Sequence, residues 1–237
     1  MVYTLLLLYL IDFEFAVRCA KLKYFNFSGN FSRANFYKAQ MEGSTLTGAV
    51  FESSLFKEAN LDKADLSYSN FQKANFTDAN LSHANLNRAN FQEANFTDAN
   101  LDSANATDGD FAFAKFNGAF LYLADFTRSR LQEINLSNAH IKAAIFMETD
   151  LARSNFSGTI FWDFKKWEER HTKPQKSYED DYFFNRDLTY DDYKRHSKPN
   201  FRLAKNLTID QIRVADNYKK AIYNDDLCQL LNIDNTN

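Results

Sequence analysis

Residues 74–101 read ANFTDANLSHANLNRANFQEANFTDANL, a stretch in which an Ala-Asn pair returns every five residues and precedes Phe or Leu. The five-residue spacing continues without an insertion from Phe31 to Phe161, which gives 27 central positions, none of them polar. Two residues before each centre lies a mostly small side chain, with Ile134 as the one large exception. The chain is therefore an uninterrupted repeat over more than half of its length.

A period of five fits neither standard secondary structure. An α-helix turns about 100° per residue, so successive centres would scatter around its axis instead of forming one apolar face. A β-strand would send alternate centres to opposite faces. Because both arrangements leave aromatic side chains in water, the sequence predicts a chain that turns every five residues. We expect the Ala-Asn pair entering each side to make the turn.

Central residues twenty positions apart are also alike. Two of the four resulting columns hold mainly Phe, one of them running from Phe31 to Phe111, and a third holds mainly Leu. Four five-residue sides per coil would stack these like residues about 4.8 Å apart, the spacing of neighbouring strands. The sequence thus predicts an all-β solenoid with four sides per coil.

The units ANLSH, ANLNR, ANFQE and ANFTD resemble the A(D/N)LXX repeat of the pentapeptide-repeat family. The resemblance covers residues 29–163, and it implies a right-handed quadrilateral β-helix of about 27 pentapeptides in between six and seven coils. It further implies that the centre and the small residue two positions before it both face inward.

We interpret residues 1–28 as an apolar N-terminal cap, because an open solenoid end exposes aromatic side chains and unpaired backbone groups. The apolar run from Val2 to Ile11 is too short for a membrane-spanning helix, which needs about 20 residues, and Asp12 and Glu14 interrupt its extension. An export signal and a membrane contact are the alternatives for this segment. We do not expect membrane association, and we expect a cytoplasmic protein.

Residues 164–237 are predicted to form a C-terminal extension of loops and helices, with helices near 209–223 and 225–231. Both prolines lie in this extension, and its apolar residues after position 207 have helical spacing. The stretch LTIDQIRVADNYKKAIYNDDL resembles a tail, LTxxQIxxAxxYxxAIYxxxL, found after cyanobacterial pentapeptide repeats. We expect this tail to pack on the rod.

Composition argues against several functions. Gly and Pro together make 8 of 237 residues, which fits poorly with folds that use these residues in many tight turns. The formal charge of −3 gives no reason to expect direct nucleic-acid binding. Cys19 and Cys228 lack the spacing of a disulfide framework or a zinc site. The four histidines have no metal-ligand spacing, and the chain has no phosphate-binding glycine loop or nucleophile motif. We expect no catalysis, no cofactor and no metal.

Two outward-facing surfaces of the predicted solenoid are candidate interaction sites. The first is an acidic edge in which like charges repeat at steps of twenty, a mild cost without a packing benefit. Its residues are Glu42, Glu58, Asp62, Asp78, Asp98 and Asp102. The second is an aromatic patch near the C-terminal end, where outward amides give way to larger side chains. Its residues are Phe120, Tyr122, His140, Ile160 and Trp162. The protein's own tail, a second copy in a homodimer, or a foreign protein are the partners considered for this patch.

The preferred function is therefore a non-catalytic scaffold that binds an unknown protein partner through the sides of a rigid rod. The family resemblance implies an alternative, mimicry of duplex DNA that binds and inhibits a topoisomerase such as gyrase. Residues 29–163 hold 16 acidic and 11 basic side chains, a net charge of −5. Duplex DNA carries about 19 charges over a rod of the same length, roughly 32 Å. The charge thus favours the scaffold over the DNA mimic.

Overall fold

The computed structural model describes residues 17–160, together with Phe201, Ala204, Gln211 and Ile212. Residues 17–160 form a four-sided parallel coil in which each side contributes one bridging residue instead of a continuous strand. Successive coils are joined by 25 parallel bridges, and all but the first two connect residues twenty apart. Within the described part of the chain, the helical residues are Gln211 and Ile212.

Backbone hydrogen bonds between coils follow one scheme. The centre Phe76 donates its N–H to the carbonyl oxygen of Asn95 in the next coil at 2.7 Å, and Asn95 donates back to Ala74 at 2.9 Å. Asp78, two residues after the centre, donates to Thr97 at 3.0 Å. Each unit is therefore bonded to both of its neighbouring coils, which supplies partners for backbone groups that the fold removes from water.

Every corner contains a residue in the left-handed region. The N–H of Ala79 donates to the carbonyl oxygen of Phe76 at 3.0 Å, which closes a four-residue turn whose third residue, Asp78, has a φ of +58°. All 26 corners from residue 33 to residue 158 share this positive φ, and four of them use Gly. The turn thus lies in the two residues after the centre and not in the Ala-Asn pair, which corrects the expectation from the sequence.

The asparagine before the centre holds the corner in place. Its side-chain oxygen accepts the one N–H of the unit that has no backbone partner, as in Thr77 N–H to Asn75 Oδ1 at 3.0 Å. Asx turns of this kind stabilise tight turns without Gly or Pro. The arrangement explains how a chain so poor in both residues turns every five positions.

The interior consists of stacked columns of the central side chains. In one column Phe91 lies between Phe71 and Phe111, with ring centroids 5.1 and 5.0 Å apart and interplanar angles of 5° and 10°. Rings of the neighbouring Phe column meet these at steeper angles, such as Phe91 and Phe96 at 5.4 Å and 60°. The small residues two before the centres are buried as well. Core and corners together leave three outward positions in each unit.

Coil pairing extends N-terminal to the predicted start at residue 29. Lys21 bridges to Gln40 and Asn26 to Thr45, both at an offset of nineteen, and Phe27 is buried. The step from Phe27 to the next centre, Phe31, is four residues instead of five, so one side of the first coil is short. Because of this shorter side, the residues before position 29 are out of phase with the five-residue period, and the period alone does not identify them as part of the coil. Residues 1–16, and with them most of the predicted cap, lie outside the described residues.

Phe201 extends one aromatic column beyond the last described coil. Its ring stacks on Phe146 at 5.0 Å and 5°, as Phe146 itself stacks on Phe126 at 5.4 Å and 2°. Phe156 meets Phe201 edge-on at 6.1 Å and 71°. A side chain far away in sequence thus occupies the position of the next aromatic ring in the stack.

Gln211 supplies hydrogen bonds that another coil would otherwise provide. Its Nε2 donates to the carbonyl oxygens of Leu151 at 3.0 Å and Ser154 at 2.9 Å. One coil earlier, the equivalent carbonyls of Leu131 and Ile134 accept from Ser154 Oγ and from the N–H of Asn155. One carboxamide therefore replaces two donors at the end of the ladder. The predicted boundary at 163, the helix near 225–231 and most of the helix near 209–223 fall outside the described residues.

We predict that Phe91→Ala lowers the free energy of unfolding by about 3–5 kcal/mol, because it removes a fully buried ring from the middle of a stack. Urea denaturation measures the loss. Glu93→Ala, two residues later at an exposed corner, is the control and should stay within about 0.5 kcal/mol of the native protein. A loss of less than about 1 kcal/mol at Phe91 would contradict the stacked-core account.

Gln211→Ala should lower the free energy of unfolding by about 1–3 kcal/mol, because two end carbonyls lose their donor. Gln211→Glu should lose a similar amount, since it keeps the length of the side chain and removes the N–H groups. Gln72→Ala, at a half-buried site on a middle coil, is the matched control for loss of a glutamine. Thermal and urea midpoints equal to those of the control would show that Gln211 does not cap the coil.

Candidate functional site

The outward side chains form vertical columns with a step of twenty residues. In the unit 94–98, Ala94 and Phe96 are fully buried, whereas Asn95 and Thr97 are half-buried and Asp98 is exposed. The residue before the centre and the two after it therefore make up the surface of each side. Columns of these residues are the natural units in which to describe candidate sites.

Most carboxylates of the acidic edge have a basic neighbour. Lys38 Nζ lies 3.1 Å from Glu58 and holds the pKa of that carboxyl below its usual value through a hydrogen bond. Asp78 lies 4.0 Å from the ammonium of Lys57, and Glu42 pairs with Lys23. The edge thus carries much less uncompensated charge than its sequence indicates.

Asp62 belongs to a small polar cluster on this edge. His83 Nδ1 and Ser82 Oγ both lie 3.1 Å from its Oδ1. Partial burial raises the pKa of Asp62, and the hydrogen bonds from His83 and Ser82 outweigh that effect, so the net pKa lies below its usual value. The cluster holds the carboxylate ionised and fixed against its own column.

The last two acidic-edge residues pack against the next coil. Asp102 Oδ1 accepts the N–H of Tyr122 at 3.0 Å, the role that an asparagine at position 120 would fill. A Cβ on Gly118 would overlap Asp98 Oδ1, so Gly118 leaves room for this carboxylate. As a binding site the acidic edge stays a prediction, and its members have structural contacts that the sequence did not reveal.

The aromatic patch begins where a ladder of amides ends. Asn80 donates to Asn60 at 3.1 Å and Asn100 donates to Asn80 at 3.4 Å. Phe120 and His140 continue this column, with their rings stacked 4.7 Å apart at 8°. The column thus changes from hydrogen-bonded amides to stacked rings on the outside of the solenoid.

The remaining patch residues extend this surface in two directions. Ile160 bridges to His140 at the top of the same column, and Tyr122 lies in the adjacent one. The structure therefore brings Phe120, Tyr122, His140 and Ile160 to one side. Trp162 lies outside the described residues, and a binding role for the patch stays a prediction.

Lys142 is a buried cation beside the patch. Its side chain lies over the ring of Tyr122, with Nζ 5.4 Å from the centroid, and the residue is only 5% exposed. Burial lowers the pKa of Lys142 to about 8. The ammonium is therefore partly neutral at mildly alkaline pH, an unusual property for a surface column.

A surface that the sequence reading missed lies on the side opposite the patch. One of its corners carries a ladder of alternating charge, in which Arg128 forms two hydrogen bonds with Asp108 at 2.7 and 2.9 Å. Arg88 lies on the other face of Asp108 at 3.8 Å and donates to the Tyr68 hydroxyl at 3.1 Å. The step-twenty reading that exposed the acidic edge also contains this ladder, as a column of alternating instead of equal signs.

The described residues hold no group of three or more side chains suited to bind a metal ion. Over the same residues, no helix is long and apolar enough to cross a membrane.

Comparison with protein families decides the classification. The model described as "Pentapeptide repeat region" matches residues 20–96, and that of "Pentapeptide repeats (8 copies)" matches residues 107–142 and 124–163. The chain belongs to the pentapeptide-repeat family. The predicted fold, a right-handed quadrilateral β-helix, is confirmed by this membership and by the four-sided parallel coil of the structure.

Three solved pentapeptide-repeat structures illustrate the similarity. HetL of the cyanobacterium Nostoc sp. strain PCC 7120, described as involved in regulating heterocyst differentiation, is 22% identical over 66% of this chain and 80% of its own, with a TM-score of 0.40. Rfr23 of the cyanobacterium Cyanothece 51142 is 23% identical over 57% and 86%, with a TM-score of 0.33. Full-length QnrB1, a plasmid-mediated fluoroquinolone resistance protein, is 11% identical over 87% and 97%, with a TM-score of 0.31. A search of curated proteins gives no match.

The pKa of Lys142 predicts a pH-dependent stability. Between pH 8 and 10.5 the unfolded chain retains the Lys142 proton more than the folded protein does, so the free energy of unfolding should rise with pH. The slope from this group is at most about 1.4 kcal/mol per pH unit. Lys142→Met should remove that slope, whereas Lys63→Met, at an exposed corner, should leave it unchanged. Equal slopes for the native protein and Lys142→Met in urea denaturation would contradict the assignment.

Proposed function

We propose that this pentapeptide-repeat protein is a non-catalytic scaffold that binds a protein partner through the sides of its rigid β-helix. The aromatic patch is the preferred binding surface, and its stack of Phe120 on His140 is the observation that carries the proposal. These rings stack on the outside of the column and do not belong to the core. Aromatic side chains are the commonest anchors of protein interfaces.

The change within one column supports this choice. Asn60, Asn80 and Asn100 satisfy one another along the side, and an amide at position 120 would also accept the N–H of residue 122. Phe120 gives up both contacts, and Asp102 from the coil below accepts that N–H instead. A replacement that needs compensation elsewhere is explained most simply by a use for the ring.

The charge of the rod supports a protein partner over DNA mimicry. Acidic columns of the solenoid are interleaved with lysine and arginine, as in the pairs Lys38 with Glu58 and Arg130 with Asp110. A surface of paired charges lacks the continuous negative potential of a phosphate backbone. The proposal places the protein in the cytoplasm, in keeping with two cysteines that have no disulfide spacing.

The test uses a variant that rebuilds the amide ladder. Phe120→Asn with His140→Asn converts the patch to the pattern of the lower coils, so the solenoid should fold as before. Proteins that bind the native chain are identified by cross-linking in extracts of its source cells, then purified and titrated against both forms. We expect the double variant to weaken binding of the purified partner by about tenfold or more.

A second variant, with Glu58, Asp78 and Asp98 changed to Asn, controls for the acidic edge. Binding that is lost with this variant and kept with the first would move the site to the acidic edge. A partner that binds both variants as tightly as the native chain would contradict the assignment of its binding site to either surface. Inhibition of gyrase supercoiling by the purified protein would instead support the DNA mimic.

A further inference from the structure

We propose that two copies of this chain associate as an antiparallel dimer through the side opposite the aromatic patch. We call this the ladder side. The two-fold axis of the dimer lies in the plane of the ladder side and perpendicular to the rod. It passes between the coil that contains Asp108 and the coil that contains Arg128, so each column faces the same column of the other copy in reverse order. The proposal rests on the order of charges and side-chain sizes along four neighbouring columns, and it is independent of the partner proposed for the aromatic patch.

The corner column of the ladder side alternates in charge. From the N-terminal end it runs Arg88, Asp108, Arg128 and Glu148, one residue per coil. Turning a second copy end for end about the proposed axis places Arg128 opposite Asp108 of the other copy, and Arg88 opposite Glu148. Every charge of this column then faces its opposite, which favours association in one register.

The next column has the same symmetry. Asp110 and Arg130 are 2.8 Å apart within the chain. Under the same rotation, Asp110 lies opposite Arg130 of the other copy, and Arg130 lies opposite Asp110 of the other copy. Asn90 lies opposite Asp150, an amide donor against a carboxylate. Two adjacent columns thus specify one axis independently.

Side-chain size and the second corner agree with that axis. Ala112 faces Gln132, and Gln92 faces Ala152, so each long side chain meets a short one across the interface. At the far corner Glu93 faces Arg153. Small residues opposite large ones allow two flat sides to approach closely.

Phe113 lies beside the proposed axis. It is a corner residue with a φ of +64° and is 52% exposed. Exposure of an apolar ring to water is unfavourable. Under the rotation, Phe113 lies opposite Glu133 of the other copy, and the two Phe113 residues are offset by one coil, about 4.8 Å, along the rod. Association would remove exposed ring surface from water at this edge, which favours the dimer.

Other arrangements have fewer complementary contacts. A parallel pair on the ladder side would bring its two corner columns together, which pairs Arg128 with Glu133 but places Asp108 opposite Phe113. It would also place Asp110 opposite Ala112, so the second charged column would lose its opposite charges. The acidic edge has equal signs at Glu58, Asp78 and Asp98, so an end-for-end pair centred on it would bring carboxylates together. Charge order therefore favours the antiparallel direction, in which both charged columns meet their opposites.

The contacts within each chain prepare the surface for a second copy. Two hydrogen bonds from Arg128 to Asp108 hold the guanidinium fork in place before association, which reduces the loss of side-chain freedom. The shared rows cover four coils, about 19 Å of rod. So short a polar interface is typical of weak, salt-sensitive dimers. We expect dissociation in the micromolar range or above.

Sedimentation equilibrium over a wide range of protein concentrations tests the proposal. The native full-length chain should show a monomer–dimer equilibrium that weakens as salt is added. Arg128→Glu with Arg130→Glu should raise the dissociation constant by about tenfold or more, because acid would then face acid. Lys57→Glu with Lys63→Glu makes the same change in net charge on other columns and should leave the constant unchanged.

A four-site swap separates the interface from folding. Asp108→Arg, Asp110→Arg, Arg128→Asp and Arg130→Asp together keep both pairs within the chain and restore opposite charges across the axis. This variant should dimerise with itself and fail to mix with the native chain, and Phe113→Ser should weaken the native dimer. A native chain that stays monomeric, a double reversal that still dimerises as tightly, or free mixing of swapped and native chains would each overturn the proposal.

Discussion

Most corners of the solenoid are held by one hydrogen bond, in which the side chain of an asparagine or aspartate accepts the N–H of the residue two positions along the chain. Four of the five backbone N–H groups in a unit such as 74–78 have backbone partners, and the Asn75 carboxamide takes the fifth. Without that acceptor, these left-handed corners would leave a donor unpaired beside a tightly packed core. An unsatisfied buried donor costs about 1–3 kcal/mol, and most of the 26 corners have an asparagine or aspartate in this position. The repeat therefore conserves one chemical group at one position in most of its units.

Because the inward and outward positions of a unit are separate, the two can vary independently. The centres and the small residues before them are fully buried and repeat closely, as Phe71, Phe91 and Phe111 do. The outward columns vary more, even at the position before the centre, so one column can hold amides, the next carboxylates and another an alternating ladder. Each side of the rod is thus a nearly independent surface on a common frame. The aromatic patch and the ladder side use this freedom on opposite sides of the same coils.

The fold could be predicted from sequence because its signal is periodic and local. A step of five fixes the sides and a step of twenty fixes the columns, so the neighbours of Phe91 in the stack follow from counting. The left-handed residue at each corner could not be predicted in this way, since residues as different as Lys73, Asp78 and Phe113 adopt it. The same φ occurs at Ser53 and Glu148, where Val50 and Ile145 stand in place of the asparagine, so the corner geometry follows from the pairing of the coils.

The candidate sites were less predictable, because counting finds columns but not the pairs between them. The acidic edge appears in sequence as a run of like charges, yet Lys57 reaches it from the neighbouring column, and Lys38 continues its own column one coil below Glu58. Asp102 appears as a surface acid, yet it replaces a missing asparagine one coil above. Gln211 could not be connected to Leu151 by counting, because the five-residue pattern ends at Phe161 and the chain after it has no such repeat. Contacts that cross columns, or that join the tail to the coil, require the three-dimensional structure.

The four-residue side between Phe27 and Phe31 gives this otherwise uniform chain a fixed point of reference. In a long run of nearly identical units, a coil that closes one side early or late still places Phe near Phe, so many misaligned windings are close to the native one in energy. Only the first coil pairs at an offset of nineteen, and every later bridge takes twenty. A winding that begins anywhere else cannot reproduce both offsets. The irregular side thus distinguishes the native register of the coils from registers that are shifted by one side.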